Sequence, residues 1–194
     1  MPDRGRTIVY FDNSNIFQSQ RGVGWRIDAA KFVQLLEKNG PVWQVYFFAA
    51  VTDPPRYAQT QFYRLLKEHL RWETEVFPLG SKTVRCKNCG QSRRTYTEKG
   101  VDVALATRLL THAINRAFDT AILVSGDKDY LETIRAVKNM GLRVEIVSFR
   151  QSLSQELARE SSAPVFYLDD HRVALEKVTP DQEAEALESG EDES

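Results

Sequence analysis

Two carboxylates lie two residues apart at a point where a buried strand is predicted to lead into a helix. The apolar run 120–124 ends in Ser125 and Gly126, and Asp127 and Asp129 follow before a helical pattern begins. In open α/β sheets, ligands bind at the carboxyl ends of the strands. Two adjacent anions repel each other unless a cation neutralises them, so the pair favours a divalent metal site. The alternative is that Asp127 only caps the following helix.

Two more carboxylates occupy similar positions elsewhere in the chain. Asp12 ends the β-rich run 7–11 and is followed by the amides Asn13 and Asn15, which could hold water or substrate. Asp102 lies between two valines at the start of an amphipathic helix, where the alternative role is a favourable interaction with the helix dipole. Four carboxylates at three element ends favour a shared acidic site.

Three segments resemble the motifs of the NYN domain family, the LabA-like relatives of PIN nucleases. They are FDNSNIF at 11–17, KGVD at 99–102 and SGDKDY at 125–130. The resemblance extends over about residues 7 to 170 in the right order. It implies a PIN-like α/β fold and an acidic site that binds Mg²⁺ or Mn²⁺ and cleaves RNA.

The resemblance also implies roles for individual residues. It assigns metal binding and catalysis to four carboxylates: Asp12, Asp102, Asp127 and Asp129. It places three supporting polar side chains beside them: Asn13, Asn15 and Ser125. Lys128 and Tyr130 depart from the family pattern, which has a small residue and Phe at these positions, and Lys128 could instead contact a phosphate.

The order of elements predicts a three-layer α/β/α sandwich with a mainly parallel sheet, because strands alternate with helices. Strands are predicted at 7–11, 42–51, 73–77, 120–124, 143–147 and 165–168, and helices at 29–38, 53–71, 100–118, 127–139 and 152–160. Residues 21–24 are predicted to form a loop. The inward positions are predicted to be Phe62, Leu65, Leu66 and Leu70 in one helix and Val101, Leu105, Leu109 and Ile114 in another.

Length and charge divide the chain into one domain, residues 1–178, and an acidic tail, residues 179–194. The 194 residues have a net charge of −1, but the tail holds seven acids and no Lys or Arg. The body therefore has 26 basic against 20 acidic residues, a charge of about +6. This pattern favours a domain that binds polyanions and a disordered tail, which either competes with nucleic acid or aids solubility. With no membrane-length apolar run and no signal peptide, we expect a cytoplasmic protein.

A basic segment at about 79–99 interrupts the connection after the third strand, and the sequence predicts an irregular loop there. Its basic residues are Lys82, Arg85, Lys87, Arg93, Arg94 and Lys99. Lys and Arg supply most of the affinity in sequence-independent nucleic-acid binding, and Tyr96 could stack on a base. The segment is therefore either a contact for single-stranded RNA or a solvated loop.

The same segment contains Cys86 and Cys89 in a C-x-x-C-G pattern that resembles one knuckle of a zinc ribbon. Structural zinc almost always has four ligands, and the chain has no second cysteine pair. Two knuckles from two subunits could complete a Zn²⁺ site across a homodimer. The alternatives are a tight turn without metal and a redox pair.

The leading functional hypothesis is a metal-dependent endoribonuclease that cleaves single-stranded RNA. One alternative is a non-catalytic RNA-binding or regulatory protein on the same scaffold, since a fold does not fix a function. A phosphatase or nucleotide-processing enzyme would use similar metal chemistry, but the sequence lacks a glycine-rich loop for phosphate.

Overall fold

The computed structural model describes residues 4–85, 89–97 and 100–178, without the side chains of residues 81–82 and 93–97. Several of the predictions above lie outside the described residues. They concern Cys86, Lys87, Lys99 and the acidic tail.

The centre of the fold is a six-stranded sheet in which every neighbouring pair of strands is parallel. Its strands are β1 (Thr7–Asp12), β2 (Val42–Val51), β3 (Glu73–Pro78), β6 (Thr120–Val124), β7 (Arg143–Ser148) and β8 (Phe166–Tyr167). Their order across the sheet is β3-β2-β1-β6-β7-β8. Every residue of β1 and β6 is buried, which explains why these two strands have almost continuous apolar sequences.

Helices cover both faces of the sheet, which confirms the predicted three-layer α/β/α fold. They are α1 (Asn13–Val23), α2 (Ala29–Glu37), α3 (Tyr57–Arg64), α4 (Val101–Ile114), α5 (Leu131–Asn139), α6 (Gln155–Glu160) and α7 (Arg172–Leu175). Alternate residues of β1 point into two cores: Ile8 and Tyr10 pack beneath α4 and α5, whereas Val9 and Phe11 pack beneath α1 and α2. None of the helices in the described residues is long and apolar enough to span a membrane.

The strand order reverses between β1 and β6. From β1 the chain proceeds outward to β2 and β3, and it then returns through α4 to place β6 on the other side of β1. Ligands of open α/β sheets bind in the crevice outside the carboxyl ends of the strands at such a switch point. Asp12 ends β1 and Ser125 follows β6, so both residues lie at this crevice.

Helix α1 replaces the loop that the sequence predicts at 21–24. Its composition is polar and only Ile16 and Ser19 are buried, so the apolar periodicity is weak. The signals lie at the two ends instead. The side chain of Asp12 caps the first turn, and Gly24 ends the helix in the left-handed conformation with φ 78°.

Two inward positions predicted from periodicity are wrong. Leu65 is 41% exposed because the helix widens to a π-helix at Leu65–His69, which changes the spacing of the residues that face the core. Ile114 is 67% exposed and Ala113 is buried in its place, since buried residues of α4 recur at steps of four from Val101.

The basic segment is a β-hairpin and not the irregular loop predicted from the sequence. Strands β4 (Gly80–Arg85) and β5 (Ser92–Thr97) pair antiparallel and form a separate two-stranded sheet. Both strands contain β-branched residues, such as Thr83, Val84 and Thr95, which favour strand conformation despite the high charge. The turn between the strands contains the exposed Cys89, and the Arg85 side chain donates to the carbonyl of Gly90.

Candidate functional site: an acidic cleft at the switch point

A cleft of about 210 Å³ lies at the carboxyl ends of β1 and β6. Three of the four predicted carboxylates line it, namely Asp12, Asp102 and Asp127. Each lies at the N-terminus of a helical segment: Asp12 caps α1, Asp102 is in the first turn of α4, and Asp127 caps the short 3-10 helix Lys128–Tyr130. The positive end of a helix dipole stabilises a nearby anion. The helix-terminal and acidic-site interpretations of these residues are therefore compatible.

Asp12 is the most buried of these carboxylates, with 1% of its surface exposed. Its Oδ1 accepts hydrogen bonds from the backbone N–H groups of Ser14 (3.0 Å) and Asn15 (3.2 Å). Its Oδ2 accepts hydrogen bonds from the hydroxyls of Ser125 (3.0 Å) and Tyr130 (3.3 Å). A carboxylate offers about four acceptor positions, so Asp12 has a full set of partners when Tyr130 donates to it.

The pKa of Asp12 is raised to about 6, chiefly by burial; hydrogen bonds from Asn15, Ser125 and Tyr130 oppose this rise, and the charge of Asp102 adds to it. Burial also raises the pKa of Tyr130 well above its usual range, and the charges of Asp12 and Asp102 add to this effect. Tyr130 therefore remains a protonated donor at physiological pH. Asp12 is ionised only above about pH 6, because its charge lies away from water.

The Tyr130 hydroxyl lies between two carboxylates. It is within hydrogen-bonding distance of Oδ2 of Asp12 (3.3 Å) and Oδ1 of Asp102 (3.1 Å). A phenol has one proton, so it donates to only one of them at a time. Tyr130 replaces the Phe of the family pattern, and the hydroxyl that this replacement adds links the first and second acidic motifs.

The first and third motifs are joined by two further hydrogen bonds. The Oδ1 atom of Asn15 accepts from the backbone N–H of Gly126 (3.0 Å), and Ser125 Oγ accepts from the backbone N–H of Asp127 (3.2 Å). Ser125 is completely buried and also donates to Asp12. It therefore links the Asp12 carboxylate to the backbone of Asp127.

Several predicted residues do not line the cleft. Asp129 and Lys128 are exposed, and the backbone N–H of Asp129 donates to Oδ1 of Asp127 (3.0 Å). Asn13 lines a neighbouring cavity instead.

Sequence reasoning also missed four polar residues that do line the cleft: Ser14, Gln18, Ser19 and Ser152. Ser14 lies within the first motif, and Ser152 follows β7, whose carboxyl end neighbours that of β6.

The donor chemistry of the cleft fits a hard divalent cation, because every candidate ligand is an oxygen. The hydroxyl of Ser14 supports this fit, since its Oγ is buried without a hydrogen-bond partner among the described residues. The carboxylates are not arranged as a finished metal site, however. Within residues 4–85, 89–97 and 100–178, no three His, Cys, Asp or Glu side chains are grouped to hold an ion.

Gly126 is required by the close approach of another loop. A Cβ at this position would clash with the carbonyl oxygen of Ser152, which is a backbone atom and cannot rotate away as a side chain could. Gly126→Ala is therefore expected to destabilise the protein by about 1–3 kcal/mol and to weaken the link to Asn15. Urea unfolding measures the loss. Gly22→Ala is the matched control, since its Cβ would meet only the flexible end of Gln151. Equal stability of Gly126→Ala and wild type would contradict the packing described.

The fold and the cleft define a class: an α/β protein with buried and partly exposed carboxylates at a topological switch point. The NYN domain model matches residues 6–169, and the chain therefore belongs to the NYN domain family. This confirms the family suggested by the three motifs. NYN domains belong to the PIN-like nuclease superfamily and are generally nucleases, which supports a hydrolase as the kind of protein.

A solved structure has the same fold. It is the crystal structure of a protein of unknown function from Vibrio parahaemolyticus, with a TM-score of 0.66 and 18% sequence identity. The similarity covers 91% of this chain and 99% of the other. A comparison with curated proteins gave no match.

Proposed function

We propose that the protein is a metal-dependent endoribonuclease that cleaves phosphodiester bonds of single-stranded RNA at the acidic cleft. The observation that supports this most strongly is the presence of Asp12, Asp102 and Asp127 in one cleft at the switch point. Wild-type protein should cleave labelled single-stranded RNA with Mn²⁺ or Mg²⁺ and should not do so in excess chelator. Undiminished cleavage in chelator would contradict a metal-dependent mechanism.

Asp12, Asp102 and Asp127 would hold one or two Mg²⁺ or Mn²⁺ ions, and Asp129 would join them only by moving toward the cleft. When bound, the ion would supply Lewis-acid chemistry and would lower the pKa of water at the scissile phosphate. Ser125 holds Asp12 and Asp127 in position, and the bond from Gly126 orients Asn15. Exposed Lys128 follows Asp127 directly and is suited to contact a phosphate oxygen.

The basic segment at about 79–99 would bind the RNA backbone through Lys82, Arg85, Lys87, Arg93, Arg94 and Lys99. Replacing Lys82, Arg85, Arg93 and Arg94 by Ala is expected to weaken RNA binding and to flatten its dependence on salt. For single strands, each lost phosphate contact should reduce the log–log slope by about 0.7. Binding is measured at several salt concentrations in the presence of chelator. Arg6→Ala is the control, since Arg6 pairs with Asp119 at the amino end of β1, away from the cleft. An unchanged slope in the hairpin variant would exclude it as the RNA contact.

A second candidate function is a non-catalytic RNA-binding protein on this scaffold, and one observation favours it. When Tyr130 donates to Asp12, four hydrogen bonds satisfy this carboxylate without a metal. To bind a cation in that state, Asp12 must give up at least one of them. The longest is the 3.3 Å bond from Tyr130, so this hydroxyl is the group that competes most directly with the metal.

Tyr130→Phe separates the two candidates, because it removes the hydroxyl between Asp12 and Asp102 and leaves the aromatic ring in place. We expect the variant to bind Mn²⁺ several-fold more tightly, since both carboxylates lose a competing donor. Calorimetric titration of Mn²⁺ measures this without reference to activity. Tyr10→Phe is the control, as the Tyr10 hydroxyl bonds to His112 in the core. Absence of Mn²⁺ binding in both wild type and Tyr130→Phe would favour the non-catalytic candidate.

A further inference from the structure

A second cavity, of about 410 Å³, lies beside the acidic cleft. Six aromatic side chains contribute to its wall: Phe11, Phe17, Phe47, Phe62, Tyr63 and Trp72. Its volume is within the range of sites that bind small organic groups, about 300–1,000 Å³. Phe17 is 47% exposed, although it is large and apolar, so part of this aromatic wall is accessible from solvent.

Helix α1 forms the partition between the two spaces. Asn13, Phe17 and Gln20 are spaced four and three residues apart and line the aromatic cavity, whereas Asn15 and Gln18 line the acidic cleft. Residues at such spacing share one face of a helix. Ser14 lines both spaces. A group held in the aromatic cavity would therefore lie next to a group held in the cleft.

The polar groups of the aromatic cavity differ in charge from those of the cleft. The described residues that line the cavity include two exposed cations, Arg26 and Lys177, and no carboxylate. Three amides are also present, those of Asn13, Gln20 and Gln59. The Oε1 atom of Gln20 accepts from the backbone N–H of Ile27 (2.6 Å), and that of Gln59 accepts from the backbone N–H of Arg56 (3.1 Å). The amino groups of Gln20 and Gln59 are the parts of these two side chains that could donate to a ligand.

We propose that the aromatic cavity binds an unpaired nucleobase of single-stranded RNA whose neighbouring phosphate enters the acidic cleft. This inference builds on the proposed function and adds a substrate-binding site to it. A nucleobase is flat, has apolar faces and carries acceptors on its edges. Those features suit aromatic walls with amide donors, and the adjoining phosphates suit Arg26 and Lys177.

The first test uses Phe17→Ala in an Asp127→Asn background, which prevents cleavage during binding measurements. Stacking of one base on an aromatic side chain is worth enough that its loss should weaken binding of a single-stranded oligoribonucleotide by about tenfold. Trp43→Ala is the matched control. Trp43 is 63% exposed but lies near the amino end of β2, away from the cleft, and its removal should leave binding unchanged. Equal binding by Phe17→Ala and its parent would overturn the proposal.

The second test uses an abasic strand with the same number of phosphates. If a base occupies the cavity, Phe17→Ala should weaken binding of RNA but not of the abasic strand. Equal losses for both strands would mean that Phe17 acts through the fold, and they would overturn the proposal.

Ala58→Trp supplies independent support, because Ala58 is exposed at the cavity and a large side chain there should also reduce RNA binding.

These outcomes are distinct from a failure of the proposed function. If Phe17→Ala loses RNA binding but the wild-type protein does not cleave RNA, the base site is supported and the nuclease function is contradicted. If the wild-type protein cleaves RNA with metal, but RNA binding depends neither on Phe17 nor on the presence of bases, the nuclease function is supported and the base site is contradicted.

Discussion

Asp12→Asn is expected to lower metal-dependent RNA cleavage by more than about a hundredfold. Changes to residues that only support a metal ligand already cost about 10- to 100-fold, and this change removes an anionic ligand itself. The amide retains the shape of the carboxylate, and its oxygen still accepts from the N–H groups of Ser14 and Asn15. The amino group that replaces Oδ2 can donate to the hydroxyls of Ser125 and Tyr130. Cleavage is measured at saturating RNA and Mn²⁺ with purified, folded variants.

Asp28→Asn is the matched control for this variant. Asp28 caps α2 through hydrogen bonds from the N–H groups of Ala30 and Lys31, as Asp12 caps α1, but it does not line the cleft. We expect it to retain wild-type cleavage. Similar losses in both variants would show that the effect does not depend on the place of Asp12 in the cleft, and would contradict its role as a metal ligand.

The second large effect is a pH-dependent gain in stability of Asp12→Asn over wild type. The pKa of Asp12 is about 6 in the folded protein and about 3.8 when the chain is unfolded, so folding favours the protonated form. The contribution of Asp12 to stability is therefore fully present below about pH 4 and is lost as the pH rises through 6. The difference of about two pKa units corresponds to about 3 kcal/mol. Asp12→Asn does not titrate and avoids this loss.

Urea unfolding of wild type and Asp12→Asn at pH 4 and pH 7, in chelator, measures the free energy of unfolding of each. The variant should gain about 2–2.5 kcal/mol relative to wild type between the two pH values, because Asp12 of the unfolded chain is already partly ionised at pH 4. A difference that does not change with pH would mean that Asp12 is less buried in solution than described. Added Mn²⁺ should stabilise wild type more than the variant, because ligand binding to the folded state adds stability.

The central strands were predictable because burial on both faces makes their sequences almost continuously apolar. Runs such as Thr120–Val124 end abruptly in polar residues, and this change also identifies the carboxyl ends of the strands, where Asp12 and Asp127 lie. Proximity of these two residues followed from their positions at the ends of parallel strands. The strand order that places β6 beside β1 could not be predicted, because it depends on contacts between distant parts of the chain.

The secondary structure was predicted wrongly where the local composition is not typical of the element that forms. Helix α1 buries only Ile16 and Ser19, so its apolar periodicity was too weak to detect. The hairpin was predicted as a loop because its strands are highly charged. The aromatic cavity could not be predicted either. Phe17, Phe47 and Phe62 come from three elements, and each alone resembles an ordinary core residue in sequence. The bridging position of Tyr130 likewise requires the packing of the 3-10 helix Lys128–Tyr130 against α4.

The most direct test of the acidic cleft as a ribonuclease centre compares wild type with Asp127→Asn in parallel cleavage reactions. Both proteins are purified identically and incubated with end-labelled single-stranded RNA and Mn²⁺, with and without chelator. We predict fragments only for wild type with Mn²⁺. Asp127→Asn should retain the fold, because its amide oxygen can still accept from the N–H of Asp129. Equal Mn²⁺-dependent cleavage by the two proteins would contradict the assignment of catalysis to this cleft.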